Sequence, residues 1–218
     1  MSNQINTLIL NATGASSEAA FVSFENSIRS PVVQRGNIHT LSSSSAPSTT
    51  QVGTQFEQFC EVFLKYKGYE CWKLEECPHL STLNLTKRDV GIDLIARCNN
   101  EWYAVQCKFR SPTRDKLGRV RHCLGWKELS TFLSIAARTG GSSGWTKHIV
   151  ITNAKNVSWQ GRKTDKDMTI ARATLMSDFL GLRDSLVTTQ PASEPTAARD
   201  VRNLRQEWLD RLSSTKKA

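Results

Sequence analysis

Hydrophobic positions recur with helical spacing at Phe56, Phe59, Cys60, Phe63 and Leu64. That i, i+3, i+4, i+7, i+8 stripe predicts a core-facing helix over Thr54 to Lys67, ended by Gly68. Tyr69 to Leu74 reads as a short strand. Gly91 to Cys98 and Trp102 to Phe109 are short, β-branched and aromatic runs, and predict two more strands. Asn99 and Asn100 between them suit the two positive-φ positions of a tight hairpin turn. A second helical stripe (Trp126, Leu129, Leu133, Ala136) covers Gly125 to Arg138. Lys147 to Thr152, centred on Ile149-Val150-Ile151, predicts a buried strand, and Ile170 to Leu186 a further helix. The mixture argues for an α/β fold: a small mixed sheet flanked by helices, its last strand parallel to a neighbour after a helical crossover.

Outside this pattern the periodicity fades. Residues 1–53 are rich in Ser, Thr, Asn and Gln and are expected to form a disordered tail, because little apolar surface is available to offset ordering entropy. Residues 54–188 form the expected functional domain. Residues 189–218 read as a Pro/Thr/Ala/Ser linker followed by an amphipathic helix carrying Val201, Leu204, Trp208 and Leu212. The 218 residues contain no apolar run long enough to span a bilayer, and no signal or transit peptide is expected at the N-terminus. The six cysteines lack a CxxC pair, which favours reduced thiols and an intracellular setting, cytoplasmic or nuclear. Cys71, Cys77 and His79 do not have a usual zinc spacing, and Gly140-Gly141-Ser142-Ser143-Gly144 lacks the Lys-Ser/Thr of a P-loop.

The net charge is +9, and 21 bases against 14 acids lie within residues 54–188. The bases crowd between Lys108 and Arg121: Lys108, Arg110, Arg114, Lys116, Arg119 and Arg121 face only Asp115. Such a cluster suits phosphate backbones, although a solvated basic loop has the same composition.

The hairpin register makes the case more specific. With Asn99 and Asn100 at the turn, Asp93 falls opposite Gln106, and Lys108 shares that face, whereas Val105 and Cys107 point to the other. An aspartate and a lysine among Ile92, Leu94, Ile95, Ala104 and Phe109 are costly unless paired or bound to a metal. Spacing alone also fits an ordinary cross-strand ion pair on a solvent face.

Gly91-Ile92-Asp93, Gln106-Cys107-Lys108 and a preceding helix with Phe56-Glu57 resemble the Mrr-like (type IV restriction endonuclease) branch of the PD-(D/E)XK nuclease superfamily. The resemblance spans Thr54 to Asn153. It implies a restriction-endonuclease-like αβββαβ core and a Mg²⁺-dependent DNA endonuclease, with Mn²⁺ as alternative ion. Asp93 would be the main metal carboxylate, and Gln106 would replace the usual second acid. The Cys107 carbonyl would be a further ligand, Lys108 would stabilise charge or activate water, and Glu57 would supply the helix carboxylate. Arg110, Arg114, Lys116, Arg119 and Arg121 would track DNA. A homodimer, or a helicase or other DNA-processing partner, would fit the same reading, and no membrane association is implied. The stretch from Glu75 to Lys87 looks like an insertion, and Asp89 is a second acid close to the site. Two alternatives stay open: a non-catalytic DNA-binding module of the same fold, and a Holliday-junction resolvase.

Overall fold

The computed structural model describes residues 2–30, 47–88 and 91–189. Residues 1–183 form one compact unit and 184–218 a second, of which 184–189 are described and end a helix. The C-terminal helix expected beyond residue 189 lies outside the described residues, as does Asp89.

Two helices come first, α1 (Ser2–Leu10) and α2 (Ser17–Arg29). Then follow α3 (Thr49–Tyr66), β1 (Glu70–Lys73), a single 3₁₀ turn (Leu74–Glu76), β2 (Leu94–Cys98) and β3 (Glu101–Lys108). A small ribbon, β4 (Thr113–Arg114) and β5 (Val120–Arg121), leads to β6 (Cys123–Gly125), and α4 (Ser130–Ala136) is next. The chain then forms β7 (Lys147–Thr152), β8 (Asn156–Ser158), β9 (Asp167–Ile170) and α5 (Arg172–Thr189). The run α3-β1-β2-β3-α4-β7 reproduces the expected αβββαβ order.

One five-stranded sheet has the order β1-β2-β3-β7-β9. β1, β2 and β3 are antiparallel neighbours, while β7 is parallel to β3 and β9 parallel to β7. Cys98 pairs with Glu101 and Leu94 with Val105, so the hairpin has the register expected from an Asn99-Asn100 turn. Both asparagines adopt positive φ, 51° and 66°, which their short polar side chains tolerate.

The sheet separates two cores. Phe132 of α4 packs in a core with Ile95, Ala104, Leu129, Trp145 and Val150, all buried. Trp145 is 2% exposed, and its indole N–H donates to Thr139 Oγ1 at 3.0 Å, so this tryptophan is a core residue. On the opposite side α3 contributes Phe56, Phe59 and Phe63. Phe24 of α2 packs on Phe59 with ring centroids 4.6 Å apart, and Phe21 meets Phe179 of α5 edge-on at 5.5 Å.

That aromatic cluster corrects the expected tail. Residues 2–10 and 17–29 are helical, with Ile5, Ile9, Phe21, Phe24 and Ile28 essentially sealed from solvent. Burial of each such side chain is worth roughly 1.5–3 kcal/mol, enough to order a polar-rich segment. α2 also begins with an N-cap, Ser16 accepting from the Ala19 N–H at 3.1 Å. Residues 31–46 of that segment lie outside the described residues. The helix expected from Thr54 begins five residues earlier, because Ser48 caps it through the Gln51 N–H. Leu83 and Leu85, from the polar stretch after β1, are buried and complete the core under α4.

Candidate active site

The start of β2 and the end of β3 are fixed by backbone pairing, and the functional side chains hang from that frame. Asp93 sits one residue before β2, its N–H donating to the Val105 carbonyl at 2.9 Å. Its Oδ2 accepts the Cys107 backbone N–H at 2.7 Å and a close hydrogen bond from Gln106 Nε2. Asp93 and Gln106 therefore meet as the register predicts, and the amide nitrogen is the atom in contact. Gly91 has φ +124°, a conformation that favours glycine, and a Cβ there would stand 3.3 Å from the Phe132 backbone. The glycine of the G-I-D element thus lets the segment pass close under α4.

Glu57, on the third turn of α3, shares one cleft with Asp93. The cleft has a volume of about 420 Å³ and is lined also by Thr54, Lys73, Glu75 and Arg88. Burial pushes the Glu57 carboxyl up to about 7, the Asp93 charge adds to the rise, and Lys108 and Lys73 oppose it. Asp93 is also raised, chiefly by burial, against the lowering effects of the Cys107 N–H, Lys108 and Gln106. Lys108 is half-buried at the end of β3 and acts electrostatically on both carboxylates. The structure thus gathers Asp93, Gln106, Lys108 and Glu57 at one end of the sheet.

Cys107 behaves differently from its neighbours. Its thiol is on the other face of the sheet, hydrogen-bonded to the Cys60 thiol of α3, and burial raises it well above the ordinary thiol range. His148 is held by Asp167, Nδ1 to Oδ1 at 2.9 Å. His79 instead packs between Trp72 and Trp102, at 5.8 and 5.1 Å.

The basic residues divide into two groups. Arg110 is ion-paired to Glu128, with a half-buried guanidinium. Arg114, Lys116, Arg119 and Arg121 are exposed on the β4–β5 ribbon. Arg119 and Arg121 both reach Asp115 Oδ2 through Nε, at 3.0 and 3.3 Å.

A network that the sequence reading missed fixes the chain just after Lys108. Thr152 Oγ1 donates to the Lys108 carbonyl at 2.7 Å. Asn153 accepts the Arg110 N–H at 2.6 Å and donates to the Arg110 carbonyl at 2.9 Å. Its amide also donates to Glu25 Oε1 at 2.8 Å, and Glu25 forms a close ion pair with Arg172. The signal available was the polar Thr152-Asn153 pair directly after an apolar strand, and Glu25 within an otherwise apolar helical stripe.

A family model described as restriction endonuclease, Mrr_cat_2, matches residues 61–181, more than half of the chain. The chain belongs to this Mrr-like restriction endonuclease family. The matched span holds Asp93, Gln106, Cys107, Lys108 and the whole basic ribbon, and begins just after Glu57. Comparison with curated proteins and with solved structures returns no match. Family membership supports a nuclease, for which DNA is the implied substrate. Among the described residues no helix is long and apolar enough to cross a membrane.

The donor set can be tested for its fit to a divalent ion. Among the described residues no three His, Cys, Asp or Glu side chains converge as a closed metal cluster. Two partly buried carboxylates, Asp93 and Glu57, do line one open cleft, and both are held above their ordinary range. Mg²⁺ is commonly held by one or two carboxylates, with water and substrate phosphate completing its shell. The oxygen donors present fit such an ion and lack the thiolate and imidazole donors that select zinc.

Proposed function

We propose that this Mrr-like chain is a Mg²⁺-dependent endodeoxyribonuclease that hydrolyses phosphodiester bonds, with Mn²⁺ able to replace Mg²⁺. The convergence of Asp93, Gln106, Glu57 and Lys108 at one sheet end carries the reading. Asp93 and Glu57 would hold the ion, with neutral oxygens of Gln106 and Cys107 beside them. When bound, the ion supplies Lewis-acid polarisation of the phosphate and lowers the pKa of water.

The chain's own groups have separate tasks. The Cys107 N–H and the Gln106 amide fix the orientation of the Asp93 carboxylate, which leaves its remaining lone pairs for a ligand. Lys108 places a positive charge where negative charge grows on the attacked phosphate, in a site partly shielded from water. Thr152 fixes the Lys108 carbonyl and so the position from which that side chain departs. The exposed bases of the ribbon, Arg114, Lys116, Arg119 and Arg121, hold the DNA backbone. Arg110, engaged by Glu128, contributes to the ribbon's base.

Supercoiled plasmid, linear duplex, four-way junction and RNA are incubated with purified protein in Mg²⁺, Mn²⁺ or chelator. Metal-dependent cleavage of DNA that is lost in Asp93→Ala and Lys108→Ala is the expected result. Cleavage that survives either substitution removes these residues from the mechanism. Salt-sensitive DNA binding without cleavage in either metal leaves a DNA-binding module and removes the endonuclease.

A further inference from the structure

The β4–β5 ribbon is more ordered than a basic loop needs to be. The Gly118 N–H donates to the Asp115 carbonyl at 2.9 Å, and the Asp115 N–H to the Arg119 carbonyl at 3.0 Å. Gly118 has φ +74°. This is a three-residue hairpin loop, a tight turn followed by a left-handed glycine. The Asp115 carboxylate locks it from within, accepting the backbone N–H groups of Leu117 and Arg119 at 2.9 and 3.0 Å. Arg114 adds a bond to the Gly118 carbonyl at 3.0 Å.

The residue that this framework displays is Leu117. It is 75% exposed at the apex, the most exposed large hydrophobic side chain among the described residues, and Val120 on the same ribbon is 59% exposed. Nothing in the turn requires a leucine: the fold uses Asp115 and Gly118, and the positions between them face water. An isolated exposed leucine is ordinary on a protein surface. This one stands on a pre-organised projection among Arg114, Lys116, Arg119 and Arg121, and the ribbon begins five residues after Lys108. A polyanion would meet the cations first, and the apex would then face the groove. Apolar side chains carried into a groove by flanking cations act by wedging between base pairs, at a cost of a few kcal/mol of stacking per step.

We propose that the ribbon is a DNA wedge: Leu117 enters a base step while the surrounding bases hold the phosphates. The preferred substrate class is duplex DNA containing a step that unstacks easily, such as a mismatch or a pyrimidine–purine step. The inference rests on the DNA-binding part of the proposed function, and is independent of whether Asp93 and Lys108 cleave.

The test uses the full chain in chelator, so that no cleavage is required. A duplex carries 2-aminopurine at a mismatch, and a second copy is fully paired. Fluorescence reports unstacking, and anisotropy reports binding. Wild-type protein is expected to raise 2-aminopurine emission at saturation and to bind the mismatched duplex more tightly. Leu117→Ala is expected to lose that rise and that preference, while affinity for paired duplex changes by less than about threefold because phosphate contacts dominate it. Leu117→Phe is expected to retain the rise. Binding without any rise in the wild type, or an undiminished rise in Leu117→Ala, overturns the wedge and leaves the nuclease reading intact. No binding to either duplex overturns the wedge, and the cleavage assay in Mg²⁺ decides the nuclease separately. A rise that depends on Leu117, in protein that never cleaves, supports the wedge and counts against the nuclease alone.

Discussion

Glu57 offers a quantitative test of the site without any need for activity. Its carboxyl is held at about 7 in the folded chain against an ordinary 4.5. Between those values the folded state keeps a proton that the unfolded chain has released. Stability contributed by this proton is fully present below about pH 4.5 and is lost as pH rises through 7. A displacement of that size corresponds to roughly 3 kcal/mol. Glu57 keeps part of its surface in water, and screening lowers the expected effect to roughly 1–2 kcal/mol. Glu57→Gln removes the titration while preserving shape. Urea unfolding in chelator at pH 5 and pH 8 should show the variant gaining roughly 1–2 kcal/mol relative to wild type over that interval. Mg²⁺ added at pH 8 should stabilise wild type more than the variant, because an ion bound to the folded state offsets the cost of keeping the buried Glu57 charged beside Asp93. Parallel stability–pH curves for the two proteins would refute the claim that Glu57 and Asp93 share one poorly solvated cleft.

Glu25→Ala leaves Arg172 without its carboxylate partner in a buried setting and should cost about 3–5 kcal/mol in urea unfolding, with loss of any DNA cleavage through the displaced Asn153. Phe24→Ala should cost about 3–5 kcal/mol, and a result near zero would mean that α2 does not belong to the core. Gly91→Ala forces a side chain into a positive-φ position against the Phe132 backbone; reduced stability by urea unfolding is expected, with loss of cleavage. Arg119→Ala should weaken DNA binding uniformly across sequences and reduce the slope of log affinity against log salt by about 1, measured by anisotropy.

The hairpin was legible because it depends on local rules. Two asparagines fix the turn, the turn fixes the register, and a period of two then places Asp93, Gln106 and Lys108. α3 was legible from its aromatic stripe. The segments that escaped depend on partners far away in the chain. α2 carries an apolar stripe, Ala20, Phe21, Phe24 and Ile28, inside a Ser- and Asn-rich segment, and a composition argument over the whole segment gives no weight to the match of Phe21 and Phe24 with Phe59 and Phe179. β9 is a four-residue strand with a polar start, Asp167, whose carboxylate is satisfied by His148 and Thr164. Its place at the sheet edge is set by β7 and not by its own pattern. The basic run was visible as charge, whereas its division into a half-buried Arg110 and an exposed ribbon depends on Glu128, which only the fold brings into range of Arg110.

Charge balance explains why an amide is tolerable at position 106. An acid there would set a third carboxylate directly against Asp93, in a cleft where burial already raises Asp93 and holds Glu57 near 7. With no cation bound, such a site would take up protons or come apart. Gln106 reverses the sign of that contact, because its N–H donates to Asp93 where a carboxylate would repel it. In the proposed site the second negative charge would come from Glu57, which lines the same cleft as Asp93 and lies on a helix and not on the sheet. The acid pair is thereby divided between two elements, α3 and the start of β2, and Phe56, one residue before Glu57, meets Phe109, one residue after Lys108, with ring centroids 5.4 Å apart. Phe56→Ala would remove that contact between α3 and the end of β3, and is expected to weaken the site without touching any charged group.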